Sequence, residues 1–342
     1  MIVSPRTRRL RTAGLAALRI LALAAAYYLA ARAGLLLELV RGQVTPLWPP
    51  TGIALVGLLV LGLRAWPGIT LGALLVNAPL GPSLPAVAMI AVGNTLAPVC
   101  GYLLLRRIGF RDQLDRLKDV LTLVFLGALI STLISAGMGA GALVLAGAVP
   151  SDAFWPTGSV WWTGDAMGVL VVAPVLLVAR SWRWPRRVRP HRWIEAAALL
   201  VSTAAVTALV AGSTFLLLFL VFPFLVWAAL RFHEQGAAVC TLIVSVITIH
   251  AAVVGAGTFG QHDLLSNMVT LQAFNGSAAL TALLLAAVIH ERDQAHRDLE
   301  RAAAQLTEVV TQLSRRASAR RGLVLGVVRP PGSPDRDQPL PT

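Results

Sequence analysis

The sequence predicts an all-α integral membrane protein, a polytopic bundle of about 8–10 transmembrane helices. Two short broken helices are expected near the N-terminus and an exit coiled coil at the C-terminus. Three observations carry this prediction. Of the 342 residues, 56% are hydrophobic and only 13% charged, where a soluble domain carries roughly a quarter charged residues. The apolar residues fall into runs of spanning length, about 20 residues. The basic residues cluster in short stretches between those runs, as topology signals do.

The first apolar run follows Arg6-Thr-Arg-Arg-Leu-Arg11. Arg19 interrupts it early and no polar loop begins before about Glu38, so residues 13–37 read as an uncleaved first span, not a signal peptide. Residues 49–63 and 66–79 come next, short and punctuated by Pro49, Pro50, Trp66-Pro67-Gly68 and Pro79. They form either two crossings or one re-entrant hairpin, and broken helices of this kind line cavities. The remaining spans are expected at 84–105, 120–147, 160–179, 193–211, 214–230, 237–255 and 265–289. This divides the chain into a basic segment (1–12), a membrane domain (13–290), a signalling helix (291–321) and a proline-rich disordered tail (322–342).

Charge placement sets the expected topology. Net charge is +13, and Lys118 is the sole lysine. Arg6 to Arg11, Arg64, Arg106 to Lys118, Arg180 to Arg192, Arg231 and Arg292 onward fall on one side. The other side carries Arg41, Asp152, His262, Asp263 and little else charged. Cytoplasmic loops hold the excess of Lys and Arg, so both termini of this multi-pass plasma-membrane protein are expected to be cytoplasmic. Because the basic residues lie in runs between spans, they indicate the lipid bilayer as partner, not nucleic acid. Cys100 and Cys240 form no disulfide or metal spacing, and no cofactor is expected.

Beyond the last span, Leu299, Ala303, Leu306, Val310, Leu313 and Ala317 recur in steps of four and three. This is the seam of a coiled coil, and it predicts a homodimer through the exit helix. A surface-lying amphipathic helix is the alternative.

The most informative stretch is Gly158–Pro174, where Asp165 lies inside an apolar segment behind Trp161 and Trp162. An ionisable group at such depth costs at least a few kcal/mol unless it faces protein or water. Asp165 is therefore a functional-site candidate, or a packing device bonded to a neighbouring helix, or the partner of Arg32 or Arg41. A helix puts Trp161, Asp165 and Gly168 on one face, an indole above a carboxylate. That geometry suits a cationic or hydroxyl-bearing small molecule. The expected ligand set is Trp48, Thr51, Asn77, Asn94, Trp161, Trp162, Asp165 and Gln272, with Asn275 nearby. The tryptophans could equally be interfacial anchors. The Ser135–Gly141 run lacks the lysine of a phosphate loop and reads as close helix packing. His250 and His262 are too scattered for a haem or zinc site, and no nucleophile–base pair is readable, so no enzyme is expected.

Several blocks resemble a known family. They are Leu47-Trp-Pro-Pro-Thr-Gly-Ile-Ala-Leu55, Trp66-Pro-Gly68 with Gly72, Gly93-Asn94-Thr95, and Trp161-Trp-Thr-Gly-Asp-Ala-Met-Gly-Val-Leu170 with Pro174. Phe222–Phe232 with Gly236, Leu271-Gln272 and the run 279–283 ending in Glu291-Arg292 follow in order. Over roughly residues 10–300 the chain is similar to the first class of membrane-associated sensor domains, the MASE type. These are bacterial input modules found ahead of histidine kinases, diguanylate cyclases and PAS domains. The resemblance implies a sensory role and supplies no ligand. No GGDEF or EAL run, ATP-binding glycine box or kinase H-box is readable; His290-Glu291 lacks the apolar and proline positions of the last. The expected function is thus a sensory module of signal transduction without its own output domain, either acting on a kinase or cyclase in trans or a truncated product with no output. A small-molecule transporter or substrate-capture component is the alternative; no inverted repeat supports it.

Overall fold

The computed structural model describes residues 5–36, 45–181, 190–215, 217–260 and 264–327. Every regular element among them is helical. Two compact units are present, Met1–Glu291 and Arg292–Thr342.

In the first unit, α1 (Pro5–Leu35) begins in the basic N-terminal stretch, earlier than the apolar pattern alone indicates. Two short helices, α2 (Pro49–Leu61) and α3 (Trp66–Asn77), follow. Proline occupies the first turn of each, where no backbone N–H is needed. Gly62, at φ 87°, makes the break between them, a conformation that costs glycine little. With 13 and 12 residues, each is about 20 Å long, short of the ~30 Å hydrocarbon core. A Cβ on Gly34 would meet Pro49, while Gly68 abuts Ile20 and Gly72 abuts Tyr27. The pair is therefore a hairpin lying along α1, with both open ends beside the end of α1 that carries Leu35.

Helix α4 (Leu84–Ile108) returns to the arginine-rich end. There Arg106 Nη2 donates to Leu59 O at 2.7 Å. The next span runs from α5 (Leu117–Thr122) through a π-helical turn (Leu123–Ile130) into α6 (Thr132–Leu145). Ser131 and Thr132 hydroxyls bond back to the carbonyls of Gly127 and Ala128, a pattern that bends helices. A second π turn (Gly168–Val172) separates α7 (Phe154–Met167) from α8 (Ala173–Ser181). Arg180 closes that span on Asp112 at 2.8 Å.

Helix α9 (Pro190–Ala211) leads into α10 (Phe222–Val253), a run broken at His233, whose φ of 53° and ψ of −142° are not helical. The chain reverses there, since a Cβ on Gly236 would lie 2.8 Å from Ala228 O. Residues 222–232 and 234–253 are thus two arms, matching the two spans expected at 214–230 and 237–255. Arg231 pairs with Glu195 at 2.6 Å near the tip. Helix α11 (Leu264–Val327) then runs back along this hairpin, with His290 against Glu234 at 3.4 Å. The order helix, broken hairpin, helix therefore occurs twice in the same sense, in α1–α4 and in α9–α11. It is a parallel recurrence, in keeping with the lack of an inverted repeat.

Among the described residues, seven helical stretches are long and apolar enough to span a membrane, and α2 is a further, shorter apolar helix. The protein is a multi-pass membrane protein. In the second unit α11 exposes its apolar seam: Leu299, Leu306, Val310 and Leu313 are between 59% and 69% exposed, and Ala303 is exposed with them. The proline-rich tail from Arg329, and Arg41, His262 and Asp263, lie outside the described residues.

Candidate functional site

Glycines position the carboxylate. A Cβ on Gly168 would collide with Trp48 O, one on Gly52 with Gly168 O, and one on Gly164 would stand 2.7 Å from Thr45 O. Backbone packing this close is how membrane helices associate without a hydrophobic drive between them. Trp48 N seals the contact by donating to Gly164 O at 3.0 Å. The N-terminus of α2 is thereby held on α7, and Thr51 Oγ1 reaches Asp165 Oδ1 at 2.5 Å. From the other side, Ser135 Oγ of α6 donates to Asp165 Oδ2 at 2.5 Å. Asp165 is 1% exposed.

A cavity of about 270 Å³ opens beside this cluster. Trp48, Asn77, Asn94, Trp161 and Asp165 contribute its polar and aromatic wall, with Thr45 and Thr157; Leu35, Leu143 and Val160 are among its apolar residues. The Trp161 ring lies flat enough on α6 that a Cβ at Gly139 would sit 2.7 Å from it. Asn94 Oδ1 is buried without a hydrogen-bond partner, and the Tyr27 hydroxyl stands within hydrogen-bonding reach of the Trp48 and Asn94 side chains, with Asp165 nearby. Asn77 Nδ2 is committed to Ala73 O at 2.8 Å. Among the described residues, no group of three or more His, Cys, Asp or Glu is placed to hold a metal ion.

Five of the eight expected ligand residues therefore share one cavity wall. The other three do other work. Thr51 supports the carboxylate from behind. Trp162 turns away and donates its indole N–H to Leu129 O at 2.8 Å, fixing α7 to the π turn. Gln272 donates to Pro46 O at 2.7 Å, tying α11 to the segment before α2, and Asn275 accepts from Thr248 at 3.0 Å. Both members of the tryptophan pair touch protein, Trp162 through this bond and Trp161 against α6. Arg32 is exposed and forms no ion pair with Asp165, so that alternative falls; Arg41 lies outside the described residues. Sequence reasoning missed Tyr27 as a wall neighbour and Ser135 as a carboxylate donor. The signal for Ser135 was its hydroxyl at the head of the Ser135–Gly141 small-residue run.

Comparison with known proteins gives a consistent picture. The MASE1 family model matches residues 19–293, most of the chain. A protein named "Probable diguanylate cyclase DgcE", from Escherichia coli (strain K12), is 26% identical over 206 residues, covering 57% of this chain. That match spans only 18% of the relative's own length. No solved structure matches the chain.

Proposed function

The chain belongs to the MASE1 family, a membrane sensory module, and from that premise we propose that its stimulus is a small ligand bound in the Asp165 cavity. The observation supporting this is a buried carboxylate, two indoles and an unpartnered amide oxygen converging on one half-open cavity. Such convergence of a few polar groups in a largely apolar pocket is the usual form of a small-molecule site. The reading assigns the chain no catalysis of its own. Occupancy would be transmitted through α11, whose apolar seam pairs with that of a second copy. The target would be a histidine kinase or a diguanylate cyclase, the second being the activity named for the relative above.

A physical route supports transmission. Ser135 couples Asp165 to α6, and the same span begins at Leu117, whose N–H donates to Glu291 Oε1 at 3.2 Å. Glu291 thus caps the start of α5 from the end of the first unit, where a carboxylate is favoured by the helix dipole.

The cavity reading is tested by substituting its wall. Trp161→Ala should abolish ligand-dependent stabilisation of the purified protein across a metabolite panel, since binding to the folded state raises apparent stability. Two further results are expected. Both termini should be cytoplasmic, so a reporter fused after Arg321 should be active only if it requires the cytoplasm; activity of a periplasm-dependent reporter there would contradict the arginine argument. Leu306→Glu with Leu313→Glu should cut crosslinking between exit helices by about tenfold or more, because like charges would face each other in an apolar seam. Unchanged crosslinking would indicate a surface-lying helix instead.

A further inference from the structure

We propose that the Asp165 cavity is selective for a primary ammonium group; this rests on the cavity being the ligand site. Four observations lead there. Asp165 is held by two hydroxyls, Thr51 and Ser135, and among the described residues no Arg, Lys or His lines the cavity. Among the described residues its charge has no cationic partner, and a buried unpaired charge is expensive. The indoles of Trp48 and Trp161 share the wall, Trp161 turning its N–H toward Asp165, and aromatic rings of this kind attract cations over their faces. Asn94, 7% exposed, presents an oxygen without a donor.

These groups ask for different things of a ligand, and one group answers all of them. A cation completes the carboxylate and meets the indoles. N–H donors, which a quaternary ammonium lacks, are needed by Asn94 Oδ1. An anion would face Asp165 with nothing to offset it. A neutral alcohol would supply one donor and no charge. The ligand's remaining atoms would lie against Leu35, Leu143 and Val160, so a short apolar or hydroxyl-bearing body fits. A free amine and the headgroup of an aminophospholipid offer the same chemistry.

The test uses the full chain in phosphatidylcholine–phosphatidylglycerol nanodiscs and an isosteric series: butylamine, butanol, butyrate and butyltrimethylammonium. Butylamine should raise the thermal midpoint saturably and bind about tenfold or more tighter than the other three, the scale of one charge-assisted hydrogen bond. Asn94→Leu should lower that affinity about tenfold, and Asp165→Asn should remove it. Asp152→Asn, an exposed carboxylate near the same end, should leave it unchanged. Equal or tighter binding of butyltrimethylammonium, or butylamine binding indifferent to Asn94→Leu, would overturn the inference. Preferential binding of butanol or butyrate, lost in Trp161→Ala, would overturn the ammonium while leaving a ligand pocket. No shift with any probe would also overturn it, and Trp161→Ala would still decide whether the cavity governs output. Replacing phosphatidylglycerol with phosphatidylethanolamine separates the sources. Suppression of the butylamine shift assigns the site to a lipid ammonium, and persistence assigns it to a soluble amine; either supports the ammonium.

Discussion

Gly168→Ala should destabilise the protein by on the order of 3 kcal/mol, the upper part of the range for overpacking a core. The added methyl meets the carbonyl of Trp48, and backbone cannot swing aside as a flexible side chain would. Either α2 lifts from α7, or the π turn that begins at Gly168 is forced to rewind. Both outcomes separate Thr51 from Asp165 and displace Trp48, so ligand response should fail along with stability. Gly137→Ala is the matched control. It lies in α6, where an added Cβ meets nothing within 4 Å, and exchanging a helical glycine for alanine is worth up to about 1 kcal/mol of stabilisation. Chemical or thermal denaturation of the two variants in one detergent checks the pair. Equal stabilities would show that the close approach of α2 to α7 is not required.

Asp165→Ala should cost about 2–4 kcal/mol, and Asp165→Asn about 1 kcal/mol. Alanine leaves Thr51 Oγ1 buried without its acceptor, a loss of about 1–3 kcal/mol, and opens a small void. Ser135 is better placed, since Thr132 O lies 2.8 Å from its hydroxyl. Asparagine retains an acceptor and nearly the same volume, so the fold survives while the charge is gone. Neutralising Arg32 in the Asp165→Asn background should restore nothing, because Arg32 is exposed and is not the partner of the carboxylate. Recovery of stability in that double variant would reinstate the ion pair.

Much of the architecture was legible in one dimension because the bilayer enforces it. Apolar length and arginine placement report the spans directly, and Pro49-Pro50 with Trp66-Pro67-Gly68 left the first hairpin open beside a pair of crossings. The second hairpin was legible only as two apolar runs. Its reversal falls at His233, whose φ of 53° and ψ of −142° lie outside the left-handed helical region that histidine tolerates, so the packing of the two arms holds the bend. The π turns lie beside only indirect markers, Ser131-Thr132 after the first and Pro174 just past the second, and neither residue type specifies a π turn in a pattern. Asp165 was conspicuous because a lone carboxylate among apolar residues has few explanations. Its partners were harder, since helical spacing says which residues share a face but not which helix that face meets. Trp162 is the clearest case. It is adjacent to Trp161 in sequence, yet 100° further around α7 it meets Leu129 and not the cavity. Gln272 was polar and in a plausible place, but its amide serves Pro46 O.

The central claim is that the state of the Asp165 cavity governs the exit helix. The most direct measurement places a spin label at Glu308→Cys, off the apolar seam, and compares inter-helix distances with Asp165 intact and with Asp165→Asn in the same nanodiscs. The account predicts a changed distance distribution at position 308 with the protein still folded. Identical distributions, with stability equal to that of the unsubstituted protein, would contradict it and leave Asp165 a structural residue of the helix bundle.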